Sequence, residues 1–199
     1  MKKIIFATNN KNKAAEIRLI LGEQFEIITL KEAGIFIDIP EPHNTLKENA
    51  IEKAKVIHDM THENCFSEDT GLEVEVLDGA PGVYSARYAG EQASASDNIS
   101  KLLHALDGKE NRNACFTTCI CLILDGAQYF FEGKCHGTIS LKTKGNNGFG
   151  YDPIFVPEGY QHTFAELDQK TKAEISHRKK AVAKMADFLL HHQKKVNNF

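Results

Sequence analysis

Cys65-Phe66-Ser67-Glu68-Asp69-Thr70-Gly71-Leu72 sets two adjacent carboxylates between a short apolar run and a glycine. The pattern reads as a strand that ends in Glu-Asp and turns at Gly71. That would leave two anions at a sheet edge, where hard cations find oxygen ligands. For an isolated acidic pair a solvated turn is the commoner outcome, so its meaning depends on the chain around it.

With 199 residues, 42% of them hydrophobic, the chain can bury one compact α/β core and has no room for a second full domain. The formal net charge of -3 argues against a general nucleic-acid binder, and the distribution is more telling than the sum. Glu63 to Asp97 holds eight acidic residues against Arg87 alone, whereas Lys170 to Lys195 holds eight Lys or Arg against Glu174 and Asp187. A centre that attracts cations and an end that attracts anions suit a metal-bound polyphosphate, although solvated faces give the same pattern. The five cysteines, Cys65, Cys115, Cys119, Cys121 and Cys135, form no Cys-x-x-Cys pair and are odd in number, which suggests neither a zinc site nor a disulfide framework. Cys119 and Cys121 would share one strand face as small hydrophobes. The apolar run after Met1 is too short for a signal peptide and none approaches ~20 residues, so a soluble, cytoplasmic protein is expected.

Upstream of the acidic pair, Lys3 to Ala7 reads as a strand, and Ala14, Ile17, Ile20 and Leu21 recur at helical spacing before Gly22 stops the helix. The intervening Thr8-Asn9-Asn10-Lys11-Asn12-Lys13 contains no glycine and is not a P-loop. A helix start with unpaired N–H groups and two lysines is nevertheless a ready anion site, with a polar capping loop as the alternative. A strand over Phe25 to Leu30 follows. Two prolines then fix the extended Ile35-Phe36-Ile37-Asp38-Ile39-Pro40-Glu41-Pro42 and hold Glu41 out rigidly. Thr45 and Glu48 fit a capping box for a helix to about His58 that buries Leu46, Ala50, Ala54 and Ile57. Lys53 on its polar side is a phosphate contact or a surface lysine, and composition favours the surface. His58 and His62 share the spacing of zinc ligands but lack a third partner, and read as an exposed helix end.

Downstream, Leu72, Val74 and Val76 alternate as a strand until Asp78-Gly79-Ala80-Pro81-Gly82 breaks it. Val83 to Gly90 is a small-residue loop with two tyrosines and Arg87, suited to line a cleft or to meet a partner. A helix from about Ser94 to Leu106 buries Ile99, Leu102, Leu103 and Leu106. Ala114 to Leu124 and Ala127 to Ser140 are strands joined by the Asp125-Gly126 hairpin signal. The glycines of the Lys142 to Pro153 loop let backbone approach a ligand, and Phe149 offers a ring for base stacking or for the core. The last helix begins near Lys170, with Ile175, Val182, Met185 and Leu189 as its buried line. Lys172, Ser176, His177 and Arg178 in its first turns form an anion site or a solvated basic face. His191, His192 and the tail to Phe199 look like a frayed end.

The order of these segments resembles the inosine triphosphate pyrophosphatase family, also called Ham1, over nearly the whole chain. The resemblance rests on Thr8-Asn9-Asn10-Lys11-Asn12-Lys13, Glu48-Asn49-Ala50 with Lys53-Ala54, Glu68-Asp69-Thr70-Gly71-Leu72, Gly79-Ala80-Pro81-Gly82 with Ser85-Ala86-Arg87-Tyr88-Ala89-Gly90, Gly148-Phe149-Gly150-Tyr151-Asp152-Pro153 and Ser176-His177-Arg178. It implies a single domain over residues 1–199 with a mixed α/β fold: an elongated twisted sheet, flanking helices and two lobes around a central cleft. It also implies Mg2+-dependent hydrolysis of inosine, deoxyinosine and xanthosine triphosphates to monophosphate and pyrophosphate, in a homodimer with no nucleic-acid or membrane partner. Asp69 would match the proton acceptor and a metal ligand, Glu41 the second metal carboxylate, and Glu68 a ligand or its support. Thr8, Asn9, Asn10, Lys11, Asn12, Lys13, Lys53, Thr70, Lys172, His177 and Arg178 would match phosphate and substrate contacts, and Phe149, Gly150, Tyr151 and Asp152 the base side. One departure is Ala173, where the family often has asparagine.

The residue types fit this chemistry independently, since cations clamp a triphosphate and a carboxylate beside the attacking water accepts its proton. Two rivals differ in what they require. A non-catalytic nucleotide-binding regulator would not need Asp69 and Glu41, and a nucleic-acid module would use the basic C-terminal helix and bind with strong salt dependence.

Overall fold

The computed structural model describes residues 3–21 and 25–196, except the side chains of 193–196. The elements run β1 (Lys3–Phe6), α1 (Lys11–Leu21), β2 (Glu26–Thr29), α2 (Leu46–Thr61), β3 (Cys65–Val74), β4 (Pro81–Gly82), α3 (Ala95–Ala105), β5 (Asn113–Leu124), β6 (Ala127–Ile139), β7 (Phe155–Pro157), α4 (Gln169–Ile175) and α5 (His177–Val196). Among the described residues the strands form one mixed sheet in the order β2-β1-β3-β5-β6-β7, with β4 on β3. β1 pairs parallel with β2 and β3, and β3 with β4 and β6 with β7 pair antiparallel. This is the mixed α/β fold expected. No helix among the described residues is long and apolar enough to cross a membrane.

The acidic pair does not end a strand at a sheet edge. β3 continues through Glu68, Asp69, Thr70 and Gly71 to Val74 and stands inside the sheet, between β1 and β5. Gly71 was expected to turn the chain but is a strand residue, and Val76 belongs to a short 3-10 turn, Glu75–Leu77, not to the strand. Leu72 and Val74 are fully buried, so strand burial outweighs glycine's turn preference here.

The chain divides into two compact units. The first holds Met1–Asp69, Thr118–Gly133 and Arg178–Phe199. Strand alternation decides its core, because successive side chains point to opposite faces. Ile4, Phe6, Phe66, Ile120, Leu122 and Leu124 pack with Ile17 and Leu21 of α1 and Val182, Met185 and Leu189 of α5. Ile5, Ala7, Cys65, Cys121 and Ile123 pack with Ala50, Ala54 and Ile57 of α2. Both faces being covered explains why Ile120 to Leu124 is a continuous apolar run and not an alternating one. Phe66 stacks on Phe6 with centroids 4.5 Å apart; truncating it to alanine would cost about 3–5 kcal/mol. Cys121 is buried as expected, whereas Cys119 is only half-buried.

α2 is longer than its sequence pattern suggests. Thr45 Oγ1 accepts from Glu48 N at 3.2 Å, and His62 caps the other end in the left-handed conformation. His58 is half-buried with Nδ1 at 2.9 Å from the Glu63 carbonyl, and His62 is exposed. The expected helix stop at Gly22 lies outside the described residues, as does the tail from Asn197.

The second unit holds Thr70–Thr117 and Lys134–His177. Leu72, Val74, Ile99, Leu102, Leu106, Phe116, Phe155 and Phe164 form its core. Ser94 and Asp97 cap α3 reciprocally, each side chain accepting the other's backbone N–H. In the first unit, Asp125 and Gly126 both take positive φ (50 and 79), the two-residue turn their sequence calls for. The glycine-rich loop is tied down at both sides by Lys144 N to Pro153 O and Asn147 N to Ala165 O. Gly148 has φ 76, and a Cβ there would lie 2.0 Å from Asp152 Oδ2, so only glycine lets the loop close over that carboxylate.

The expected single last helix is two. Ser176 adopts an extended ψ of 155 and ends α4 before α5 starts at His177. The expected buried line is divided with it: Ile175 packs in the second unit's core, whereas Val182, Met185 and Leu189 pack in the first.

Candidate active site

In the first unit, β3 alternation parts the two carboxylates that are adjacent in sequence. Residues 65, 67 and 69 turn towards α2: Cys65 Sγ donates to Ala54 O at 3.3 Å, Ser67 Oγ donates to Ala50 O, and Asp69 meets Lys53. Residues 66 and 68 turn to the α1 and α5 side, where Phe66 joins the core and Glu68 meets Arg178.

Lys53 Nζ bonds Glu41 and lies 3.2 Å from Asp69 Oδ1. The lysine is buried, contrary to its surface reading, because α2 turns this face to β3 and to the proline-fixed segment carrying Glu41. Burial pushes the Asp69 carboxyl up; Lys53 opposes that, Glu41 adds to it and Lys13 opposes it, and the balance stays upward. For Lys53 burial disfavours the charge, but Asp69 and Glu41 outweigh burial and raise it. Asn49, one turn before Lys53, accepts from His43 N at 2.9 Å and donates to His43 O at 3.2 Å, which anchors the chain just after Glu41. Its Nδ2 also lies 3.5 Å from Asp69 Oδ2.

Across the strand, Arg178 Nε and Nη2 fork onto Glu68 at 2.8 to 3.0 Å, Nη1 bonds Glu16, and Lys13 Nζ lies 3.3 Å from Glu68 Oε1. Burial raises Glu68, but Arg178 and Lys13 prevail and hold it at about 2. The expectation of unpaired N–H groups at the α1 start needs correction. Asn10 Oδ1 accepts from Asn12 N at 3.0 Å and Lys13 N at 3.1 Å, and Thr8 Oγ1 accepts from Asn10 N at 3.1 Å. Capping thus orders the turn while Asn9, Lys11 and Asn12 stay exposed.

In the second unit, Asp152 Oδ2 accepts from Phe149 N at 2.7 Å and from Lys172 Nζ at 2.6 Å, and Lys172 Nζ sits 4.8 Å from the Phe149 ring centroid. A cation over a ring face and a charge-assisted bond fix the lysine together. Tyr151 is buried and donates to Ser85 O at 2.9 Å, and Gly150 beside it is half-buried. His177 is buried with its ring stacked on Phe116, centroids 4.6 Å apart. Phe149 lines, with Ile99, Leu103 and Leu141, a groove of about 660 Å³.

This arrangement of segments matches the Ham1 family model over residues 4–188. The chain belongs to the Ham1 family. It is 54% identical over 191 residues, 96% of this chain and 98% of the relative, to a dITP/XTP pyrophosphatase of Porphyromonas gingivalis. It is 53% identical to one of Flavobacterium psychrophilum over 94% of this chain and 98% of that one. Among solved structures, a Ham1 protein from Coxiella burnetii is 36% identical with a TM-score of 0.88, covering 96% of this chain and 100% of that one. The Staphylococcus aureus Ham1 protein is 37% identical with a TM-score of 0.87 over 96% and 99%.

The structure of this Ham1 chain brings Glu41, Lys53 and Asp69 together, and separately Lys13, Glu68 and Arg178, and separately Phe149, Asp152 and Lys172. It does not bring Glu68 to the face that carries Asp69 with Lys53. Thr70, half-buried, is the next strand residue. Among the described residues no three of His, Cys, Asp and Glu gather closely enough to enclose a metal ion. Two carboxylates bridged by an ammonium nonetheless fit Mg2+, which takes one or two protein carboxylates and completes its shell with water and phosphate. Asn49 and Glu16 were not singled out as site residues in the sequence. For Asn49 the spacing was a signal, four residues before Lys53 on α2, whereas Glu16 meets Arg178, 162 positions away, and nothing local pointed to it.

Proposed function

We propose that this chain hydrolyses deoxyinosine, inosine and xanthosine triphosphates to the monophosphate and pyrophosphate, removing non-standard purines from the nucleotide pool. The observation that carries the reading is the Glu41–Lys53–Asp69 cluster, in which Lys53 and Asp69 are buried and Glu41 is half-buried: a carboxylate raised by burial beside a cation and a second carboxylate. Asp69 is the group that accepts the proton of the attacking water, and a carboxylate raised above its ordinary range by burial is the stronger base for that role. Lys13, Lys53 and the Thr8 to Asn12 turn hold phosphate oxygens. Phe149 stacks on the base and Lys172, held by Asp152, donates to it. Arg178 orders Glu68 and the first turn of α1 from behind.

Mg2+ would be held by Glu41 and Asp69, and when bound it supplies neutralisation of phosphate charge. A site that donates to a 6-keto oxygen leaves its partners unpaired against a 6-amino group, which disfavours adenine. A homodimer and a cytoplasmic setting belong to the same reading, and the mass in solution by light scattering tests the first. The function itself is tested by pyrophosphate release from the inosine, deoxyinosine, xanthosine, guanosine and adenosine triphosphates with and without Mg2+. Release from the first three with Mg2+ supports it; oligonucleotide binding without hydrolysis would replace it.

A further inference from the structure

Lys53 sits on one oxygen of each carboxylate in the metal reading, Oε1 of Glu41 and Oδ1 of Asp69. Its Nζ bonds Glu41 and lies 3.2 Å from Asp69 Oδ1, in a side chain only 9% exposed. Asp69 is buried and Glu41 half-buried, and two carboxylates meeting on one ammonium repel each other the more as water is excluded. The Lys53 ammonium between them relieves this repulsion. An ammonium and a divalent ion held on the same two carboxylates would repel each other at close range.

The surroundings decide what gives way. α2 is fixed, since Ala50 and Ala54 are buried against β3 and take the bonds of Ser67 and Cys65. The chain bearing Glu41 is anchored by the paired bonds of Asn49 to His43. Lys53, the lysine in direct contact with both carboxylates, has a long, unbranched side chain and a head group that suits a second set of oxygens. We propose that Lys53 is an exchangeable counter-ion: it neutralises Glu41 and Asp69 in the nucleotide-free protein, leaves them when they take a divalent cation, and then donates to the phosphate oxygens of the substrate. Lys53 thereby couples the two ligands. A metal frees the lysine for phosphate, a triphosphate draws the lysine off the metal oxygens, and the coupling is the same in both directions. The inference rests on the Glu41–Asp69 metal reading above.

The test is a Mn2+ titration followed by electron paramagnetic resonance, on wild type, Lys53→Met and Lys53→Arg. It is run without nucleotide and with a deoxyinosine triphosphate analogue carrying CH2 between the α- and β-phosphorus. Lys53→Met should bind Mn2+ without nucleotide about 5- to 150-fold more tightly than wild type, the usual span of a coupling between sites. Phosphate oxygens coordinate the metal in every variant, so the tightening that the analogue brings should be smaller in Lys53→Met than in wild type, and Lys53→Arg should keep the wild-type value. Should Lys53→Met fail to fold, Lys53→Gln carries the same comparison. If the neutral variant binds Mn2+ no better than wild type while Asp69→Asn abolishes binding, the counter-ion role is overturned and the metal pair stands. If Asp69→Asn and Glu41→Gln leave Mn2+ affinity unchanged, the metal pair itself fails and takes this inference with it.

Discussion

Arg178 forks onto Glu68, with Nε and Nη2 at 2.8 to 3.0 Å from the carboxylate, and turns Nη1 to Glu16. Both partners are buried, and they are 110 positions apart in the chain. Taking two charges out of water is offset only when the geometry is this well matched, so either partner alone is a liability.

Glu68→Gln therefore leaves Arg178 under-neutralised and should lower stability by about 3–5 kcal/mol. At roughly 2–4 °C per kcal/mol for a chain of this size, the melting temperature should fall by about 6–20 °C in a calorimetric scan. A loss under ~0.5 kcal/mol, typical of an exposed pair, would contradict the buried contact.

The same pair sets an acid dependence. Glu68 is held at about 2 against an ordinary value of 4.5, burial notwithstanding, by Arg178 and Lys13. A carboxyl depressed on folding contributes stability that is complete above the ordinary value and is lost as pH falls towards the folded one. Urea midpoints of the wild type should drop steeply between about pH 4.5 and 2. The Glu68→Gln protein should show a shallower fall over the same range; parallel curves would count against the assignment.

Asp152 steadies both Lys172 and the backbone of the glycine-rich loop through bonds of 2.6 and 2.7 Å. Asp152→Ala removes charge-assisted bonds each worth about 1.5–3 kcal/mol. On the proposed base-side role, KM for deoxyinosine triphosphate should rise by about tenfold or more, with a smaller change in kcat. Steady-state kinetics at fixed Mg2+ reads both, and an unchanged KM would remove Asp152 from the substrate side.

Ser94 lies in the α3 capping box and makes no contact with the candidate site residues among the bonds described above. Ser94→Ala should cost about 1 kcal/mol, or roughly 2–4 °C of melting temperature, and leave kcat/KM unaltered. A large loss of activity at matched folded fraction would mean that this cap also positions the wall of the Phe149 groove that Ile99 and Leu103 form.

Much of this was legible beforehand for identifiable reasons. Helix α1 follows from Ala14, Ile17 and Leu21 at helical spacing, and the β5–β6 hairpin from Asp125-Gly126, because local periodicity and turn chemistry act over a few residues. The turn expected at Gly71 and the unbroken last helix were misread because tertiary burial decides them. Leu72 and Val74 carry the strand past the glycine into a core, and Ser176 turns the chain from one core to another. The parting of Glu68 from Asp69 was hidden by the same expectation. Once the pair lies within a strand, period two alone places the two carboxylates on opposite faces. The burial of Lys53 was not legible at all, since composition puts lysine outside unless a partner elsewhere in the chain is known.

The central claim is that Asp69 accepts the proton of the attacking water, and the most direct measurement is pyrophosphate release from deoxyinosine triphosphate with Mg2+ by Asp69→Asn. Loss of the general base should lower kcat by about 10²- to 10⁴-fold in a protein that still melts cooperatively. Turnover within about tenfold of wild type would contradict it.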